Sequence, residues 1–176
     1  MKRRPACGSV RAALAAQVFA VFSALVYLVP LPASSGERIE GSYFPQPHLD
    51  LQARWAQPFL DRRMDPALAN LIIAESPFTE LRLRVPDRFI GRRVRIHMLV
   101  PPVVDGVSGA AGLEVEWKTQ GILRPGRARP GERVLLFEGF ATETPLRDFI
   151  AYTFRIDARF LRDHIRFEPH YEIEEH

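Results

Sequence analysis

Arginine dominates the side chains able to make directed contacts. Arg124, Arg127, Arg129 and Arg133 fall within LRPGRARPGER, between Pro125-Gly126 and Pro130-Gly131. Guanidinium groups on a loop restrained by two Pro-Gly pairs suit phosphate or carboxylate groups, at reduced ordering cost. The plainer account is a solvated hairpin tip. A second set, Arg82, Arg84, Arg93 and Arg95, occupies alternate positions of TELRLRV and RVRIHMLV. Period two places them on one polar face. A hairpin through PDRFIGR joins the two strands into a surface for an anionic glycan, a lipid head group or an acidic partner. Internal pairing with Glu114 and Glu116 is the more economical account, each cross-strand pair contributing about 0.2–1 kcal/mol.

A third row runs along the final strand, with Arg166, Glu168, His170, Glu172 and Glu174 on one face. Glu168, His170 and Glu172 have the chemistry of a divalent-metal site, since i and i+2 neighbours stand about 6.8 Å apart. One strand supplies too few converging ligands, so a solvated edge strand guarded by its charges and Pro169 is the simpler reading. No cofactor is expected. The chain contains no G-x-S-x-G, no phosphate-binding glycine loop, no C-x-x-C and no H-E-x-x-H. Its single cysteine, Cys7, precedes the apolar leader, so the body has no thiol nucleophile. A Ser-His-Asp triad leaves no local signature. Trp117 shares a face with Leu113 and Val115 and belongs to the core.

The elements that position these residues are strands. TELRLRV, RVRIHMLV and LEVEWKT alternate between apolar and polar residues, with Leu99 alone on the polar side of the second, and 132–140, 149–158 and 165–174 follow. Pro86-Asp87, Asp105-Gly106 and the two Pro-Gly pairs separate them with turn chemistry. The expected fold is mainly β: an antiparallel β-sandwich, Ig-like or jelly-roll-like, with one or two short helices before it. Asp65-Pro66 makes a good helix start, and Leu68, Leu71 and Ile72 then share a helical face. ANLIIAE reads equally well as a strand. The stretch LRLRVPDRFIGRRVRIHMLV resembles the consecutive strands of jelly-roll carbohydrate-binding modules. It includes none of their binding motifs, so no site residue is carried over.

The leader sets the address. Residues 12–29 form an uncharged, mostly apolar run behind Lys2, Arg3, Arg4 and Arg11. This is an export signal, cleaved after Ser35 or retained as a membrane anchor with its amino terminus cytoplasmic. It also explains the apparent basicity. The chain carries a net charge of +3, but four of its 24 basic residues lie in the leader and all 21 acidic residues follow it. The body is therefore nearly neutral, and the electrostatic case for nucleic acid disappears. Residues 1–35 are read as signal peptide or anchor, 36–48 as a linker rich in Pro, Gly and Ser, and 49–176 as the domain. Tyr43 and Phe44 are expected to dock onto the domain or the membrane interface. Together these features describe an exported or anchored bacterial envelope protein that binds or scaffolds rather than catalyses. The expected partner is an envelope protein, or alternatively an anionic glycan or lipid. A hydrolase is the less favoured reading.

Overall fold

The computed structural model describes residues 36–45, 51–57, 65 and 68–176. The run at 12–29 lies outside the described residues. Among those described, no helix is long and apolar enough to cross a membrane. The described chain is mainly β and its paired strands are antiparallel, as the alternation predicts. In chain order the strands are β1 (Glu37–Ile39), β2 (Gly41–Phe44), β3 (Gln52–Trp55), β4 (Leu71–Glu75), β5 (Thr79–Leu83), β6 (Arg93–Leu99), β7 (Asp105–Val107), β8 (Leu113–Thr119), β9 (Gly126–Ala128), β10 (Arg133–Phe140), β11 (Leu146–Asp157), β12 (Leu161–Arg166) and β13 (His170–Glu175).

A smaller sheet runs β1-β13-β6-β10. In the larger sheet β11 is the central strand, with β5 and β4 along one edge and β8, then β9, along the other. β2 and β3 flank β5 and β4 on the outside, and β12 and β7 form a separate two-stranded ribbon. The inward positions of both sheets supply the core: Leu81, Leu83, Ile96, Met98, Trp117, Leu136, Ile150 and Ile173 are almost completely buried. Each such side chain contributes about 1.5–3 kcal/mol by leaving water. Trp117 is in the core, as its face predicts, and its indole N–H donates to the Arg124 carbonyl at 2.9 Å.

Four expectations are corrected. The stretch 37–44, read as part of a linker, forms β1 and β2. Pro, Gly and Ser flank it, but Ile39 and Tyr43 face the core, and β1 pairs with β13 while β2 pairs with β5. The chain thus crosses from one sheet to the other at Glu40. Gly41 is required at this crossing, because a Cβ there would lie 2.3 Å from Cε2 of Tyr171.

Of the two readings of 66–75, the strand is the one seen at Leu71–Glu75: this is β4, held between β3 and β11. β4 and β5 run along β11 as one bent strand. At the bend Pro77 has no N–H to offer, and Ser76 compensates: its N–H donates to Tyr152 O at 2.9 Å and its hydroxyl accepts from Tyr152 N at 2.8 Å. The helices among the described residues are single 3-10 turns at Asp87–Phe89 and Ala110–Gly112, between strands rather than before them.

The predicted hairpin of β5 and β6 does not form. Residues 84–92 carry the chain from the larger sheet to the smaller, so Arg82 and Arg84 are separated from Arg93 and Arg95. Finally, the carboxy-terminal strand is two strands. β12 and β13 are divided by Phe167, Glu168 and Pro169, which breaks the predicted row of Arg166, Glu168 and His170.

Candidate binding cleft

The β1–β2 crossing, the start of β13 and the β7–β12 ribbon enclose a cleft of about 1300 Å³. Gly106 allows the ribbon to close up against itself. Its φ is +88°, and a Cβ there would meet the His164 carbonyl oxygen at 2.3 Å. Tyr43, Leu51, Ile165 and Phe167 line the cleft while only partly buried, with Tyr152, Phe154 and Tyr171 behind them. The rings meet edge to face: Phe167 lies 5.7 Å from Tyr152 and 5.2 Å from Phe154 between centroids.

Three tyrosine hydroxyls from β2, β11 and β13 converge behind this wall. The Tyr43 hydroxyl lies 2.8 Å from that of Tyr152 and 2.9 Å from that of Tyr171. Burial raises all three hydroxyls above the ordinary tyrosine range, those of Tyr152 and Tyr171 most strongly. They remain neutral and satisfy one another as dipoles.

The rim is charged. Arg84 pairs with Glu40 at 3.3 Å, and Arg166 approaches Glu168 at 4.0 Å. Arg82 donates twice to Glu80 and lies 4.1 Å above the Phe44 ring. Arg38 differs from these. Its Nη2 sits 2.9 Å from Nδ1 of His170, and it forms no ion pair with a carboxylate among the described residues. The contact requires an unprotonated Nδ1 to accept from the guanidinium.

The other sequence-derived candidates lie elsewhere. On the outer face of the smaller sheet Glu138 is approached by Arg124 at 3.1 Å, Arg95 at 3.5 Å, Arg93 at 3.6 Å and the His176 ring at 3.1 Å. Desolvation works to raise the Glu138 carboxyl, but Arg95, His176, Arg124 and Arg93 together hold it below the ordinary value. Arg133 reaches Glu172 at 3.1 Å and Glu174 at 3.0 Å, and Arg129 reaches Glu114 at 3.2 Å. Arg127 shares a shallow hollow with Glu114, Arg129 and Glu132. The proposed arginine loop is therefore largely engaged in internal pairing, as is Arg82-Arg84-Arg93-Arg95, though with Glu80, Glu40 and Glu138 rather than the expected Glu114 and Glu116. Glu114 instead pairs with Arg129 and Arg155.

The metal candidates do not converge: Glu168 faces Arg166, His170 takes Arg38, and Glu172 takes Arg133. Among the described residues no His, Cys, Asp and Glu group can hold a metal ion. His97 lies within the charged face, with 9% of its surface exposed and no hydrogen-bond partner on Nδ1. Glu174 is 3.8 Å away, too far to accept.

Sequence reasoning missed Arg38 and the tyrosine cluster. The expectation that Tyr43 docks onto the domain was the one signal pointing there. No family model, curated protein or solved structure matches the chain. Its functional reading rests on this geometry.

Proposed function

We propose that this is a non-catalytic, extracytoplasmic binding protein of the bacterial envelope, exported or anchored by residues 12–29. In this reading the two main sheets form an Ig-like or jelly-roll-like sandwich. The cleft is its binding site, taking a lipid- or glycan-like ligand. One observation carries the proposal: a roomy cleft joins a wall of partly exposed apolar and aromatic side chains to an arginine- and histidine-bearing rim. Pockets of this kind bind through apolar contact and use a few polar groups to fix orientation. The arginine-rich loop, favoured by composition alone, has most of its guanidinium groups occupied by the protein's own carboxylates.

The test uses the full chain in nanodiscs, applied to glycan and lipid arrays. Retention on either array, lost when Ile165→Trp fills the cleft without altering the melting temperature, supports the proposal. Retention that survives Ile165→Trp places binding elsewhere and overturns it.

A second reading, a scaffolding subunit of an envelope assembly, is favoured by a different surface. Phe44 and Phe149 stand on either side of Glu80 in register across β2, β5 and β11, and are 50% and 49% exposed. Exposed aromatic rings on a sheet face suit a protein interface. Co-purification of a membrane partner, abolished by Phe149→Ser but not by Ile165→Trp, distinguishes this reading from the first.

A further inference from the structure

We propose that the cleft selects anionic amphiphiles, receiving a carboxylate or phosphate group between Arg38 and His170 and laying the apolar body along Tyr43, Leu51, Ile165 and Phe167. This rests on the cleft being the binding site and specifies what it binds.

Cations outnumber carboxylates around the cleft. Arg38, Arg82, Arg84 and Arg166, with His164 and His170, line the cleft against Glu40, Asp105 and Glu168. These cations differ in what they face. Arg82, Arg84 and Arg166 each face a carboxylate. Arg38 faces the His170 ring, 2.9 Å from Nδ1 and 3.5 Å from Nε2, and a ring nitrogen accepting from it returns no negative charge. A carboxylate or phosphate placed there gains charge-assisted, bidentate hydrogen bonds that the imidazole cannot give. Nε2 of His170 lies 3.5 Å from the same Nη2, and in the tautomer whose Nδ1 accepts from Arg38 it carries the N–H that would donate to the incoming anion.

Tyr43, Leu51, Ile165 and Phe167 offer an apolar surface, and the tyrosine hydroxyls behind it are neutral and mutually satisfied. They neither repel an anion nor require polar groups from a ligand. A neutral glycan answers neither feature, because it leaves Arg38 without a counter-charge and presents hydroxyls to an apolar wall. An anion without a chain leaves the wall unused. The combination fits a molecule with both parts.

The test uses the full chain in zwitterionic nanodiscs with three photoreactive probes carrying a diazirine at the chain end: hexadecanoate, hexadecyl phosphate and the neutral hexadecanol. Adducts are mapped by peptide mass spectrometry, which separates labelling of the cleft from labelling of the apolar leader. Both anionic probes should label peptides containing Tyr43 or Phe167 at least about tenfold more than hexadecanol. Arg38→Gln should reduce anionic labelling to the neutral level with an unchanged melting temperature, and Arg38→Lys should restore part of it.

A preference for hexadecyl phosphate over hexadecanoate, or the reverse, identifies the head group within the same class. Equal labelling by all three probes overturns charge selection and leaves the cleft as a binding site. Abolition of labelling by inorganic phosphate at low millimolar concentration shows a free-anion site and overturns the amphiphile. Labelling confined to the leader peptides overturns both this proposal and the cleft reading.

Discussion

The middle of the smaller sheet's outer face and its β1 edge, where the cleft opens, both carry arginines, yet those arginines have different partners. On the sheet face Arg93, Arg95 and Arg124 converge on Glu138, and Arg133 spans Glu172 and Glu174. In the cleft Arg38 faces His170, and the nearby wall is aromatic. If the cleft binds as proposed, the contrast separates arginines held by the protein's own carboxylates from one that meets an imidazole. The sheet face uses its arginines to hold three strands in register. At the cleft Arg38 forms no ion pair with a carboxylate among the described residues; its guanidinium meets His170, with Glu172 as its cross-strand neighbour.

The largest expected effect comes from the hydroxyl cluster behind the cleft. Tyr43→Phe removes the oxygen between Tyr152 and Tyr171 and leaves two buried hydroxyls without their shared partner. This should cost about 1–3 kcal/mol in denaturant unfolding. A neutral result would mean that the cluster does not hold the cleft wall in place.

On the charged face, Glu138→Gln should lower the melting temperature, by less at high salt, since its partners are largely solvent-exposed. Because the Glu138 carboxyl is held below its ordinary value of 4.5, its stabilisation is present above that pH and lost as pH falls through the folded value. The variant should therefore differ most from the parent above pH 4.5 and converge with it in acid.

His97 acts in a higher window and with the opposite preference for charge. Burial, with Arg133 beside it, holds this ring below the ordinary histidine value of 6.5, against the attraction of Glu174 and Glu172, while Arg95 adds to the depression. The unfolded chain takes up a proton that the folded chain resists. Stability should thus fall as pH drops below 6.5 and level off under the folded value. His97→Gln should flatten that part of a melting-temperature profile. A slope unchanged by the substitution would assign it to another group.

Arg38→Gln should have the smallest effect on stability, within about 0.5 kcal/mol, because no carboxylate among the described residues depends on it. Loss of stability comparable to Glu138→Gln would place Arg38 among the structural arginines and erase the distinction between the two regions.

Much of the sheet was legible from alternation. Leu81 and Leu83, Val94, Ile96 and Met98, and Leu113, Val115 and Trp117 all face inward as their period-two spacing requires. The pairing was less legible. Neighbouring strands in sequence usually pair, but Arg84 to Arg92 bridge the two sheets, and adjacency alone cannot signal such a crossing. The strands at 37–44 were hidden by their composition, because Pro and Gly around a short segment look like a linker until Ile39 and Tyr43 find their partners. The cleft was least legible. Its lining comes from β1, β2, β5, β7, β11, β12 and β13, and Arg38 is distinguished by its contacts rather than by any local motif. The arginine loop drew attention for the opposite reason: its motif is local, while the carboxylates that occupy it are distant in sequence.

The sheet crossing at Glu40 also has a mechanical consequence. β1 is held to the smaller sheet by only three register pairs with β13, from Glu37↔Ile173 to Ile39↔Tyr171. Tension applied at residue 36, toward whatever precedes it, is borne by this short ladder before any of the central strands. Arg38 is the middle residue of that ladder. A pull that peels β1 away would carry Arg38 with it while β6, β8 and β11 stay packed, so load on the amino-terminal side would be felt first at the cleft rim.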